Sequence, residues 1–226
     1  MAIGFIQSKS KNAGVVTSSN LAFDSNVTAG NFIYVSVNLQ DISTTCVVTD
    51  NLSNTYVEID HRDGAANSIW HFYAKNITGG ACTVTVTQGT SVAMRWGQGE
   101  YSGVDTTAPI DVFGQGGATS ASISVGPITT NYSSPLLLLC ARWGPTQTFT
   151  AGTNYTVRET QPASILYGYE DFISADAPGS ETGTATLGGS ATWDALMVAV
   201  KPLQDTTPVV LVPHTTFRLH EFVYTC

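Results

Sequence analysis

Charge is what this sequence has least of. Only 12% of its 226 residues are Asp, Glu, Lys or Arg, and the acidic ones outnumber the basic, leaving a formal net charge of −8. A nucleic-acid binder needs Lys and Arg to neutralise phosphate, and adhesion to an anionic membrane needs the same, so neither partner is expected. A helical period is also missing, and no apolar run approaches the roughly 20 residues that cross a bilayer as a helix. The segment Met1–Ser8 has neither a basic stretch nor an apolar core of the length a secretory signal requires. Cysteine is sparse: Cys46, Cys82, Cys140 and Cys226. They form no C-x-x-C pair and no histidine cluster accompanies them, so zinc is not expected. Three lie in apolar strand patterns and read as buried free thiols. A Cys46–Cys82 bridge is the alternative, and the terminal Cys226 reads as exposed.

What the sequence does contain is a hydrophobic fraction of 42% set among Thr, Ser, Asn, Gln and Gly, much of it alternating with a period of two. The clearest stretch is Ser68 to Thr87. Trp70, Phe72 and Ala74 point one way, and His71, Tyr73 and Lys75 the other. Further on, Cys82, Val84 and Val86 alternate with Thr83, Thr85 and Thr87. This is the pattern of half-buried antiparallel strands, and Gly79-Gly80 supplies the turn of an expected hairpin. His71, on the wetter face, reads as a surface residue. Phe32 to Leu39 is apolar on both faces and reads as a central strand. Asp50-Asn51-Leu52-Ser53-Asn54 reads as a turn. Lys9 to Ser19 reads as a loop or edge, and Gly114-Gln115-Gly116-Gly117 as a flexible crossing.

The second half repeats the first at a spacing of about 100 residues, too long for a solenoid or a propeller blade. Leu136–Cys140 takes the place of Phe32–Leu39, Asn154–Val157 of Asn54–Val57, and Tyr167-Gly168-Tyr169 of His71-Phe72-Tyr73. Gly183–Leu187 and Ala191–Val200 repeat Ala81–Val86 and the strand from Val92. These features predict an all-β fold: a two-sheet antiparallel β-sandwich, jelly-roll-like, over residues 1–202, with half-repeats at about 27–105 and 131–202. Residues 203–226 read as an extended C-terminal tail. Val209–Val212 and Thr216–Tyr224 would act as an attachment or subunit-exchange arm, or as an edge strand of the chain's own sheet.

Catalytic chemistry is mostly absent. There is no G-x-S-x-G elbow, no phosphate-binding Gly loop before a helix, and no pairing of His61, His71, His214 and His220 at ligand spacing. Glu58 with Asp60, and Glu170 with Asp171, are the nearest approach to a carboxylate pair, but each reads as a solvated strand end. Asp50, Asn51, Asp60 and Asp63 offer oxygen ligands of the calcium type, which turn chemistry explains equally well. No cofactor, metal or catalytic residue is assigned. Trp70, Trp96 and Trp193 read as core. Trp143, at a strand exit, is the best surface aromatic. With Tyr155 and Tyr167 it makes up the candidate set for stacking on a sugar.

At Asp50–Tyr56, Trp70–Thr87, Glu100-Tyr101-Ser102-Gly103-Val104-Asp105 and Trp193–Pro202 the chain resembles a loosely defined family of β-sandwich modules. They occur in tailed-phage virion proteins and bacterial surface proteins. Ser53-Asn54 stands where the family's turn has Gly-Asn. The resemblance covers about residues 1–202 and implies a non-enzymatic, surface-displayed module without transferable site residues. Beginning at Met1 without a secretion signal favours the phage branch, because virion proteins assemble in the host cytoplasm. The leading expectation is therefore a capsid decoration (cement) protein on the virion surface, bound to the major capsid protein or another virion subunit. It would be a homo-oligomer, with a trimer suiting threefold capsid sites. The expected assembly contacts are Ile3, Phe5, Val210, Leu211, Phe217, Leu219, Phe222 and Tyr224. The alternatives are a carbohydrate-binding module or adhesin, extracellular or on a cell surface and recognising a host glycan, and a phage tail or fibre component.

Overall fold

A computed structural model describes residues 2–42, 45–144, 147–161 and 166–204. The described elements are all strands. The first half contributes β1 (Gly4–Ala22), β2 (Phe32–Leu39), β3 (Cys46–Asp50), β4 (Tyr56–Asp63), β5 (Ser68–Ala74) and β6 (Thr83–Ser102). The second contributes β7 (Ile110–Thr129), β8 (Leu136–Trp143), β9 (Phe149–Ala151), β10 (Thr156–Gln161), β11 (Leu166–Ile173) and β12 (Ser180–Val200). Each half builds one six-stranded sheet, and all the strand pairings are antiparallel. The first runs β1-β6-β2-β5-β4 with β3 also on β6; the second runs β7-β12-β8-β11-β10 with β9 also on β12. Adding six to each strand number of the first sheet gives the second. The repeat read from the sequence is thus a repeat of topology.

The length of β6 makes the first sheet roll. Its early residues Thr83–Thr87 pair with β3 and the end of β1, and its later residues Met94–Tyr101 pair with β2 and the start of β1. The β1 register shifts at Asn12/Gly14, where Gly14 has φ 71°, and again at Val16/Ser18. Such bulges bend and twist a strand, so the sheet closes over its own core of Val35, Val37, Trp70, Phe72, Val84, Val86 and Trp96. The second sheet does the same around Leu137, Leu139, Ala141, Trp143, Leu187 and Trp193. The alternate residues of the central strands face the other way. Phe32, Tyr34, Ile69 and Tyr101 of one half meet Leu138, Cys140, Tyr167, Tyr169 and Val198 of the other in a third core. This explains why β2 and β8 are buried along both faces.

Two expectations change. Ser68–Thr87 is not a hairpin: β2 lies between β5 and β6 and pairs with both. Gly79-Gly80 instead permits close approach to the chain at Val27–Ala29, since a Cβ on Gly79 would stand 2.8 Å from the Ala29 nitrogen. Gly114–Gly117 is not a flexible crossing but lies inside β7, whereas Lys9–Ser19 takes the edge alternative as the body of the long edge strand β1. The Asp50 turn forms as expected: its carboxylate accepts from the Leu52 and Asn54 amides, the Asn54 side chain and the Tyr56 hydroxyl. Ser53 there adopts φ 61°.

The halves also brace each other at their edges. Ser8 and Ser10 of β1 donate to Glu159 of β10 at 2.7 Å each, and Gln161 donates to Ser10 at 2.7 Å. On the opposite side Gln115 of β7 donates to Asp60 of β4 at 3.3 Å and accepts from Arg62 at 3.2 Å. The first strand of each half therefore grips the fourth strand of the other. Leu203 is tied to the Gly103 carbonyl at 2.7 Å. The tail residues 205–226 lie outside the described residues.

Candidate functional site

At one end of the interface the two halves leave a cleft of about 630 Å³, lined by Arg62, Asn67, Arg142, Trp193 and Asp194 among others. Each polar side chain is placed by a strand. Arg142 and Asp194 are cross-strand partners on β8 and β12, on the face that looks toward the first half. Arg62 comes from β4 of that half. The Asp194 carboxylate receives Arg62 Nε on Oδ1 at 2.8 Å and Arg142 Nη2 on Oδ2. One carboxylate thus holds two guanidinium groups, one from each half. Arg142 and Asp194 are buried, and burial pulls the Arg142 guanidinium below its ordinary value against the opposing pull of Asp194.

The close approach depends on glycine. A Cβ on Gly64 would stand 2.6 Å from Arg142 Nη2, and one on Gly117 would stand 2.6 Å from Arg62 Nη2. Arg62 also donates Nη1 to Gln115. Arg62 Nη2 and Arg142 Nη1 have no protein acceptor among the described residues. Arg142 Nε and Asn67 Oδ1 are buried and without a partner. Among the described residues the cluster sets no nucleophile beside a base; what it offers is guanidinium donors and carboxylate and amide acceptors.

Behind the cleft runs a buried polar seam. Tyr101 donates to Asp171 at 2.7 Å and meets the Tyr169 hydroxyl, while Arg158 Nε donates to Asp171 at 2.8 Å. The Tyr167 hydroxyl lies 2.5 Å from Ser36 Oγ, and the Tyr34 hydroxyl lies 3.0 Å from His71 Nε2. Burial, chiefly, raises all four tyrosines far above their usual range. His71 is therefore not a surface residue: the second half covers its face, and burial pushes its pKa down to about 3.

The aromatic candidates lie elsewhere than expected. Trp143 is only 2% exposed: its ring stacks on Phe149 at 4.9 Å and its indole N–H donates to the Gln147 carbonyl at 3.0 Å. Tyr155 is buried beside Phe172, and Tyr167 is fully buried in the seam. Trp143 and Tyr167 border a second cavity of about 300 Å³ but Tyr155 does not, so the three rings do not line one common site. Trp70, Trp96 and Trp193 are core, as expected.

The acids divide similarly. Glu170 and Asp171 are both buried rather than solvated. As neighbours on a strand they point to opposite faces and do not form a catalytic pair. Glu58 accepts from His61 at 2.7 Å and Asp60 is engaged by Gln115. Asn51 bonds the backbone of Ala81 and Thr83. Among the described residues no group of three or more His, Cys, Asp or Glu is placed to hold a metal. Cys46, Cys82 and Cys140 are free and buried, so the Cys46–Cys82 bridge does not form. Cys226 lies outside the described residues.

Ile3 and Phe5 are turned inward. Ile3 joins the third core, and the Phe5 ring packs edge-on against Tyr101 at 5.7 Å beneath the Arg158 guanidinium at 3.7 Å. The other assembly residues, Val210, Leu211, Phe217, Leu219, Phe222 and Tyr224, lie outside the described residues. The sequence does carry a signal for Arg142 and Asp194: each is a charge inside an otherwise apolar strand, where charges are rarely buried unless paired. No family model, no curated protein and no solved structure matches this chain.

Proposed function

We propose that this is a non-enzymatic structural protein of a virion, a capsid decoration protein that attaches to the major capsid protein or a neighbouring virion subunit. The observation that carries the reading is the chemistry of its edges. Strand β7 is 20 residues long, lies at the end of its sheet, and contains a single charged residue, Asp111. Soluble monomers guard such edges with charge, because unpaired backbone groups invite another strand. Here Phe113 stands 49% exposed on β7, and Ile6 and Val15 stand 47% and 69% exposed on the opposing edge strand β1. A partner that covers these edges would add strand pairing and apolar area together. The apolar segment 205–226 is the element proposed to reach such an edge on a neighbouring copy, giving a homo-oligomer. The three-core architecture suits a load-bearing part, since no half-repeat can separate without exposing Tyr34, Tyr101, Leu138 and Tyr169.

The test is solution mass by light scattering on the full chain, on a truncation after Gln204 that keeps the Leu203–Gly103 bond, and on Phe113→Lys. An oligomeric full chain with both variants monomeric is the expected result. Monomers throughout, together with no co-sedimentation of the full chain with phage capsid shells, would overturn the reading.

A further inference from the structure

We infer that the cleft between the halves is a binding site for a carboxylate-bearing saccharide, such as a uronic acid unit of an acidic glycan. Position and hydrogen-bonding capacity both point there. Ligand sites form preferentially where two structural units meet, and the volume of about 630 Å³ is within the range of small-molecule sites. The two halves fit closely along most of their shared core, and the walls at this end are small: Gly64, Ala65, Ala66, Gly117 and Ala118.

The donor geometry is specific. Two arginines converge on one aspartate, and Asp63 also lines the cleft, so two guanidinium groups stand with two carboxylates around it. Arg62 Nη2 and Arg142 Nη1 are free to donate, while the Asp194 carboxylate fixes both guanidinium planes. A pre-oriented guanidinium pair with open donors matches a carboxylate, which accepts planar, paired N–H groups.

The rest of the cleft fits the body of a sugar. Trp193 and the alanines supply apolar wall, and Asn67, Thr119 and Thr192 supply groups that exchange hydrogen bonds with hydroxyls. The Asn67 carbonyl oxygen is buried without a partner. This site uses none of the rings that the sequence singled out for stacking.

The test is titration of the full ¹⁵N-labelled chain with trigalacturonate, with its methyl ester and with inorganic phosphate as parallel arms. Arg62→Gln removes one donor at a partly exposed position. Ala66→Trp fills the cleft while leaving every charge in place. Expected are saturable shifts at Asn67 and Trp193 amides with trigalacturonate, at least tenfold weaker binding of the ester, and at least tenfold weakening by each variant at unchanged unfolding temperature. Equal binding of phosphate would overturn the saccharide assignment in favour of a general anion site. No saturable shifts with trigalacturonate, or binding unaffected by both variants, would overturn the site itself.

Discussion

Glu170 should make this protein lose stability as the pH rises. It alternates on β11 with Leu166 and Phe172, so it faces the apolar core of the second half, and it is fully buried. Its one polar contact is the Gly152 amide at 3.3 Å on Oε2; Oε1 has none. Burial pushes the carboxyl up from 4.5 to about 8, Asp171 adds to the rise, and the Gly152 bond opposes it. Between those two values the native chain holds a proton that the unfolded chain has released. The unfolding free energy therefore falls with pH, by at most about 1.36 kcal/mol per unit. The contribution is complete below pH 4.5 and lost as pH rises through about 8, which over the full interval amounts to ~5 kcal/mol as an upper limit. Glu170→Gln keeps the shape and the acceptor for Gly152 while removing the titration. Urea denaturation midpoints at half-unit steps from pH 5 to pH 9 measure the effect. At pH 5 the variant should lie within ~1 kcal/mol of the parent, and by pH 9 it should be the more stable by several kcal/mol. Parallel curves for the two proteins would refute the reasoning, because they would mean that Glu170 ionises as an ordinary carboxylate.

His71 acts at the other limb. Its pKa is lowered from 6.5 to about 3, so its stabilising contribution is present above pH 6.5 and lost as pH falls through about 3; His71→Gln should flatten that acid limb in the same denaturation series. Asp194→Ala should cost about 3–5 kcal/mol by leaving the buried Arg142 without its counter-charge, while the double change Asp194→Leu/Arg142→Leu should recover most of the loss in thermal unfolding. Gly97→Ala should cost about 1–3 kcal/mol, because its Cβ would stand 2.5 Å from the Tyr167 hydroxyl of the other half, and Tyr167→Phe in the same background should restore part of it.

The period-two pattern made the strand content legible, and the internal echo made the repeat legible, because both depend on local residue order. What the pattern does not encode is which strands become neighbours. Gly79-Gly80 satisfies the chemistry of a hairpin turn, yet the both-faced strand β2 inserts between the two arms because it needs a partner on each edge. The same omission hid the site. Alternation predicts one dry and one wet face, so His71 reads as a wet-face residue, while Tyr167 reads as a stacking candidate and Asp171 as a solvated strand end. A second rolled sheet packs on that face and makes it a third core. Trp143 reads as a strand exit, but Phe149 from the short strand β9 closes over it. Each misplacement traces to a contact outside the strand's own alternation, supplied by the other half or by a strand too short to show a period.

The repeat also explains why the cleft exists at one end and why its charges are special. The seventh residue of β8, Arg142, pairs across the sheet with Asp194; the seventh residue of β2, Asn38, pairs with Arg95. One unit therefore uses the same position twice with different chemistry. At Asn38–Arg95 both side chains are buried, and the Asn38 amide and the Arg95 Nε and Nη1 atoms have no partner. At Arg142–Asp194 the carboxylate recruits Arg62 from the opposite half, and the small residues Gly64 and Gly117 make room for it. Neither arrangement is the apolar filling that would hold the sheets together best, since a buried ion pair adds little over well-packed hydrophobic residues of similar volume. The central positions of the interface are filled by Tyr, Leu and Val, so the fold can supply such packing where only adhesion between the halves is at stake. Retaining two arginines and an aspartate at the mouth, with donors left open toward a cavity, is the arrangement of a site shaped for something other than its own protein.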